Sequence, residues 1–301
     1  MGEHVEPGQV RGYYIDLAEK APAPDWPPPW FPSPGLHRFI GVGQWGLAAI
    51  DRHTAGHGEA WLTGAVAAGE HLIAEQLRSG PRRGAWEEPE DLSHTFTIRG
   101  PWISAMAQGH CASLLVRLYL ATGRDEFAET ALLALEPYDV PTEDGGVRTR
   151  LPDGRAFLEE YPTRPASYVL NGAIYAIWGL YDVGVGLGDD AARRAFEDAV
   201  DGLAENLHLW DLGYWSRYDL YRHPLTNVAS TSYHVLHINQ LRVLSRLTDR
   251  LEIGAMAQRF AVYGDSRVNS ARALVHKIAF RCAVPRNRMV AARLPWLREK
   301  H

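Results

Sequence analysis

Apolar residues recur at intervals of three and four along most of the chain, the signature of helices with one buried face. This period predicts helices over 41–53, 59–78, 102–122, 125–135, 165–184, 190–207, 230–247 and 250–262. Breakers punctuate them: Thr54-Ala-Gly-His-Gly58, Ser79-Gly-Pro81, Thr122-Gly-Arg124, the glycine-rich stretch 183–188 and Asp249-Arg250. Two pairs stand out. The helix over 102–122 turns through Gly123 into 125–135, and that over 165–184 turns through its glycines into 190–207. This rhythm predicts an all-α architecture, an α/α toroid built as an incomplete ring of helix pairs. Strand-like alternation is short and confined to loops; at 146–158, Pro152-Asp-Gly154 marks a hairpin turn. Function is then expected in loops at one end of the ring.

The two ends of the chain break the pattern. Residues 1–35 are a proline-rich lead ending in Asp25-Trp-Pro-Pro-Pro-Trp-Phe-Pro-Ser-Pro34, which suits neither helix nor central strand. Its aromatics Tyr13, Tyr14, Trp26, Trp30 and Phe31 predict an extended arm lying on a toroid body that spans 36–263. Residues 264–301 carry nine Lys/Arg against two Asp/Glu, with apolar residues spaced for one more helix near 271–283. This stretch is expected to be a solvated basic extension.

Composition narrows the function classes. The formal net charge of −5 argues against a nucleic-acid partner. It leaves room for an anionic sugar, because a few cations focused in a cleft suffice. Ten Trp and 13 Tyr offer apolar faces with polar tips, suited to stacking on sugar rings. Cys111 and Cys282 lie far apart in apolar runs and read as buried thiols, not as a disulfide or metal cluster. The polar, acidic start lacks the pattern of a signal peptide, and no window is apolar enough for a membrane span. The expectation is a cytoplasmic, bacterial protein.

Two motifs invite readings that the context does not sustain. Gly41-Val-Gly43-Gln-Trp-Gly46 matches a dinucleotide fingerprint, but no βαβ unit surrounds it. Close helix packing at small residues is the alternative. His53 and His57 have ligand-pair spacing, yet Thr-Ala-Gly between them is loop-like and no third ligand is evident. No metal and no cofactor is expected.

Three segments place unusual numbers of polar groups in apolar helical stretches. They are Trp102-Ile-Ser-Ala-Met-Ala-Gln-Gly-His110, Glu159-Glu-Tyr-Pro-Thr-Arg-Pro-Ala-Ser-Tyr-Val-Leu-Asn-Gly172, and Tyr218-Asp-Leu-Tyr-Arg-His223 through Tyr233-His-Val-Leu-His-Ile-Asn-Gln240. Gln108, Asn171, Asn239 and Gln240 fall where the period predicts an interior face. Buried amides need partners, so helix–helix hydrogen bonding is one explanation and a binding site the other.

These segments resemble the carboxy-terminal domain of heparosan/heparan sulfate glucuronyl C5-epimerases. The resemblance rests on Trp-x-Ser-Ala-Met-Ala-Gln-Gly at 102–109, Glu-Glu-Tyr-Pro-Thr at 159–163, Tyr-Val-Leu-Asn-Gly at 168–172, Gly-Leu-Tyr-Asp at 179–182, Tyr-Asp-Leu at 218–220 and Tyr-His-x-x-His-Ile-Asn-Gln-Leu at 233–241. It covers about 36–263, more weakly at Gln44-Trp-Gly-Leu47. It implies an α/α toroid and inversion of C5 of D-glucuronate to L-iduronate within a polysaccharide, without a redox cofactor. The matching positions for acid/base work and substrate contact are Glu160, Tyr161, Tyr218 and Tyr233. The same motifs nominate Trp102, Gln108, Arg164, Tyr168, Asn171, Arg222, His234, His237, Asn239 and Gln240 for substrate binding. A homodimer is compatible with the resemblance.

The implied chemistry has clear demands. C5–H lies α to a carboxylate, and removing it places a second negative charge on that group. Inversion needs a base on one face and an acid on the other. A phenol, with a reference pKa of about 10, is a ready donor at neutral pH, and a glutamate is a ready though weak base. Glu160 and Tyr233 form the expected pair, with Tyr161 and Tyr218 supporting; the sequence does not assign faces. Arg164, Arg222 or Arg99 would neutralise the substrate carboxylate. A lyase, which follows the same abstraction with β-elimination, and a non-catalytic uronan-binding module are the competing readings. This chain also departs from the pattern: Tyr221 disturbs the expected Tyr-Asp-Leu-Arg-His, and Thr231-Ser232 replace a Trp-Asp.

Overall fold

In the computed structural model, which describes residues 5–29, 31 and 38–285, nine helices carry the fold. They are α1 (Arg38–Thr54), α2 (Glu59–Glu75), α3 (Ala105–Thr122), α4 (Asp125–Leu133), α5 (Leu170–Gly186), α6 (Asp190–Asn206), α7 (Thr231–Leu247), α8 (Leu251–Asp265) and α9 (Arg267–Ala283). Each odd helix from α1 to α7 packs on the even helix that follows it, and α1, α3, α5 and α7 also pack on one another in chain order. The result is an incomplete ring of helix pairs, an α/α toroid. The division of labour is written in the sequence. On α3 every residue from Ala105 to Leu118 is buried, and on α5 every residue from Leu170 to Gly184, as expected of inner helices. The outer α6 buries one side only, through Ala192, Phe196, Val200, Gly202, Leu203 and Asn206.

The glycines of the apparent dinucleotide motif have the packing role. A Cβ on Gly43 would come within 2.7 Å of His110 Cβ, and one on Gly46 within 2.2 Å of Leu114. They let α1 lie against α3.

Six short strands occupy the loops. β1 (Glu87–Glu88) pairs with β4 (Trp102–Ile103), β2 (Leu92–Ser93) with β3 (Thr97–Ile98), and β5 (Arg148–Arg150) with β6 (Ala156–Leu158), all antiparallel. The last is the hairpin around Pro152-Asp-Gly154.

Two helices start three or more residues later than the sequence predicts, whereas α1 starts three residues earlier, at Arg38. The helix predicted from 102 begins at Ala105, because Trp102 and Ile103 pair with Glu88 and Glu87 and Ser104 caps the helix. The helix predicted from 165 begins at Leu170, because Ser167 and Tyr168 are held outside it by Glu159.

The two ends of the chain join the body at specific points. Tyr13 and Tyr14 are buried, and the Tyr14 hydroxyl donates to Asp182 Oδ1 at 2.5 Å. Arg117 pairs with the same carboxylate at 2.7 Å and also donates to the Arg11 carbonyl at 2.8 Å. Trp26 tilts against Trp45 at 5.0 Å, while Trp30 lies outside the described residues. At the other end α9 packs on α7 and α8 through the buried Ala273 and Phe280. The basic stretch from 286 onward lies outside the described residues. No helix among the described residues is long and apolar enough to cross a membrane.

Candidate active site

The loops that precede α3, α5 and α7 meet at one end of the ring and build a second apolar cluster, separate from the main core. Trp102, Tyr161 and Tyr218 are buried in it beside Phe96, Ile98 and Trp215, and Tyr233 packs on it half-buried. Three helix amino termini lie beside the cluster, with the Ala105 N–H donating to the Glu159 carbonyl, the Leu170 N–H to the Tyr218 carbonyl and the Tyr233 N–H to the Ser230 hydroxyl.

Four aromatic contacts fix the cluster. Tyr161 stacks on His94 at 5.2 Å and tilts against Phe96 at 5.2 Å and Trp102 at 6.0 Å. Tyr218 meets the edge of Tyr233 at 4.8 Å. Burial pushes the Tyr218 phenol well above its usual value, and the neighbouring Glu160, Tyr161 and Tyr233 push it further. Tyr218 is thus a neutral phenol, a hydrogen-bond and proton donor, within electrostatic reach of all three other residues nominated by the sequence.

The two adjacent glutamates have different surroundings. Glu159 is fully buried and accepts from the Ser167 hydroxyl at 2.5 Å and from the Tyr168 amide at 3.1 Å. Burial raises its carboxyl to about 8. It fixes the turn that ends in Tyr168, whose φ of +51° is unusual for a residue with a side chain. Glu160, also buried, faces α5 at Gly172. A Cβ there would come within 2.4 Å of both Glu160 Cβ and Oε2. The absence of a side chain at 172 makes the space in which the Glu160 carboxyl sits. Gly172→Ala is expected to cost about 1–3 kcal/mol of stability and to displace that carboxyl. Thermal unfolding and activity measured together check this, and a variant matching the parent in both would contradict it.

The residues nominated for substrate contact divide. Trp102 lies in the cluster, with its indole N–H donating to the Glu90 carbonyl at 3.1 Å. Tyr168 is half-buried and its hydroxyl donates to the Arg150 carbonyl at 2.6 Å. Gln108 is fully buried against the loop after α2 and the end of α4. Its amide donates to the Gly84 and Ala134 carbonyls at 3.0 and 2.8 Å and accepts from the Trp86 amide at 2.9 Å. That is a structural amide tying α3 to these segments, with its groups occupied. Gln240 donates to the Asn171 backbone carbonyl at 3.0 Å, joining α7 to α5. The Asn171 Oδ1 is buried without a hydrogen-bond partner among the described residues. Asn239 is half-buried and makes no hydrogen bond among them.

His234 and His237 are bound to Ser216. The Ser216 hydroxyl lies 2.8 Å from His234 Nδ1 and 2.9 Å from His237 Nδ1, and His234 Nε2 lies 2.9 Å from the Phe260 carbonyl. A carbonyl only accepts, so His234 carries its proton on Nε2 and accepts from Ser216 at Nδ1; His237 then donates from Nδ1 to the Ser216 oxygen. Burial lowers His234 to about 4 and His237 to about 3, so both are neutral and hold the loop before α7.

The arginines stand apart from the cluster. Arg99 is exposed and paired with Asp91 at 2.7 Å. Arg164 and Arg222 are exposed and make no hydrogen bond or ion pair among the described residues. The extra Tyr221 is what turns into the cluster, tilting on Phe96 at 5.3 Å. A cation reaches the cluster from α9 instead: Lys277 Nζ lies 5.6 Å from the Tyr218 ring centre and donates to Asn227 Oδ1 at 2.8 Å.

Three further members escaped the sequence reading. His94 and Phe96 come from the β2–β3 hairpin, and Lys277 from a helix expected to be solvated. Period-2 alternation over 92–98 was the available signal for the hairpin.

Residues 80–262 match the sequence profile described as D-glucuronyl C5-epimerase C-terminus. The chain belongs to this family. A D-glucuronyl C5-epimerase of Caenorhabditis elegans is 31% identical over 241 residues, covering 71% of the chain and 38% of the relative. An uncharacterised protein of Methanocaldococcus jannaschii is 30% identical over 152 residues, covering 50% of the chain and 47% of the relative. The chain therefore spans less than half the length of either relative. Among solved structures, the unsaturated glucuronyl hydrolase of Bacillus sp. GL1 superposes over 78% of the chain and 61% of the hydrolase, with 16% identity and a TM-score of 0.48. The epimerase-family segment takes in Glu160, Tyr161, Tyr218 and Tyr233 together, whereas Lys277 lies beyond it.

Proposed function

We propose that this chain inverts C5 of D-glucuronate residues to L-iduronate within a heparosan-like polysaccharide, by proton removal on one face and proton return on the other. The observation that carries the reading is the convergence of Glu160, Tyr161, Tyr218 and Tyr233 on one cluster, in a chain of the C5-epimerase family.

The chemistry follows from the groups present. Glu160 takes the C5 proton, and the electron pair moves onto the substrate carboxylate as an enolate. The neutral phenol of Tyr218 and the hydroxyl of Tyr161 beside it donate hydrogen bonds to that growing charge. Tyr233 then protonates C5 from the opposite face. Trp102 and Phe96 supply apolar faces for the sugar rings, while the exposed Arg164 and Arg222 are placed to meet anionic groups farther along the polymer.

Product analysis separates this reaction from elimination. Incubation with heparosan is expected to yield iduronate with no change in chain length. Unsaturated uronate and shortened chains would instead make the protein a lyase, and unchanged heparosan bound by the protein would make it a binding module.

A further inference from the structure

The loop that carries Tyr218 is held by a helix outside the family segment, which ends at residue 262. That helix, α9, packs across the loop through side chains of its own. Phe280 is buried and stands edge-on to His223 at 5.1 Å. His276 Nδ1 lies 2.8 Å from the Tyr214 hydroxyl, and the Arg272 guanidinium lies over the Tyr214 ring, 3.8 Å from its centre.

Lys277 makes the contacts that bear on Tyr218. Its ammonium group donates to Asn227 Oδ1 at 2.8 Å and to the Val228 carbonyl at 2.7 Å, 5.6 Å from the Tyr218 ring centre. Both acceptors belong to the stretch that holds Tyr218. The Asn227 carbonyl accepts from the Tyr218 amide at 2.8 Å, and the Asn227 side-chain amide donates to the Asp219 carboxylate at 2.6 Å. Val228 bridges Arg217 in antiparallel fashion. Arg217, Tyr218 and Asp219 are thus each joined to one of the two residues that Lys277 ties together. Anchoring α9 does not call for an ammonium group. Ala273 and Phe280 already bury that side of the helix, and an apolar side chain would pack there without desolvating a charge. What the cation adds is a pair of charge-assisted hydrogen bonds to the loop.

We infer that Lys277 is a positioning residue, which holds the Tyr218 hydroxyl where it donates to the enolate formed at C5. A donor stabilises developing charge when it lies about 2.7–3.1 Å from it, so a small drift of this loop weakens the transition state. Polymer binding, made over many sugar units, is left as it was. Lys277 itself exchanges no proton.

The inference rests on the epimerase reading, and one experiment separates their failures. C5 hydrogen exchange and conversion of heparosan are followed for the parent protein, Lys277→Met, Tyr218→Phe and the double variant, each rate taken per mole of folded protein. Lys277→Met is expected to lose about 10-fold in kcat, with KM within about 2-fold of the parent's. On the Tyr218→Phe background, where Glu160 and Tyr233 remain, the same substitution is expected to change kcat by less than about 2-fold, because the hydroxyl it positions is already gone. Lys277→Gln keeps an N–H donor; it is expected to repeat the pattern with a smaller loss, and it takes over the cycle where Lys277→Met does not fold. A folded Lys277 variant with the parent's kcat, a loss confined to KM, or an equal loss of kcat on both backgrounds overturns the positioning role while the epimerase reading stands. A parent protein that leaves glucuronate unchanged overturns both.

Discussion

Tyr233→Phe is expected to lower C5 hydrogen exchange by about 10²–10⁴-fold, the range by which a positioned acid or base accelerates proton transfer. The substitution removes one oxygen and keeps the ring. Tyr233 sits in the first turn of α7, where its amide meets the Ser230 cap, and its ring stands edge-on to Tyr218 at 4.8 Å. Phenylalanine preserves both contacts, so melting temperature and polymer binding should stay near the parent values. Activity is the readout that divides the two roles open to this residue. A packing residue would leave exchange intact in the variant, and that outcome would remove Tyr233 from the proposed pair.

Acid is expected to unfold the protein through three histidines that do not titrate in the fold. Burial lowers His110 and His237 to about 3 and His234 to about 4, against 6.5 in the unfolded chain. The His234 bond depends on the neutral form, because Nδ1 must accept from Ser216; His110 Nδ1 donates to the Met106 carbonyl at 3.0 Å in either form, and burial keeps that ring neutral. Below pH 6.5 the unfolded chain binds three protons at these sites that the folded chain refuses, so stability falls with pH. Glu159 works in the opposite sense. Its carboxyl, held at about 8 against 4.5 unfolded, is protonated in the fold first and favours folding as pH drops from 8 to 4.5. Between pH 6.5 and 4.5 the net difference is two protons, a slope of about 2.7 kcal/mol per pH unit. Over that window the loss is comparable to the whole stability of an ordinary domain, about 5–15 kcal/mol. Melting temperature recorded from pH 7.5 to 4.5 checks this, and a flat profile would mean that these imidazoles titrate normally in the fold.

The helix pairs were legible because each inner helix is apolar enough to mark itself and three of the four turns within pairs carry glycine, as at Gly123, with Asp249-Arg250 breaking the fourth. Helix starts were less so. Trp102 and Ile103 continue the helical period, and only their pairing with Glu87 and Glu88 pulls them into a strand. Such a partner is distant in sequence, so local pattern has no access to it. The same limit governs the polar residues. Gln108, His234, His237 and Asn239 looked alike as polar intrusions on apolar faces. What separates them is where their partners lie: the Gly84 and Ala134 carbonyls for Gln108, and Ser216 for both histidines. The resemblance nominated Glu160, Tyr161, Tyr218 and Tyr233 as a group, and the fold brings them together. It was silent on Lys277, because α9 lies beyond the family segment. Arg222 faces outward because Tyr221 takes the inward direction at that turn.

The central claim is that Glu160 and the tyrosines around it exchange the C5 proton of an internal glucuronate. Incubating heparosan with the protein in deuterated water and observing C5 by NMR tests it most directly. The account predicts deuterium at C5 in both glucuronate and newly formed iduronate, and its loss in Glu160→Gln. Glucuronate that keeps protium at C5 would contradict it, as would undiminished exchange by Glu160→Gln.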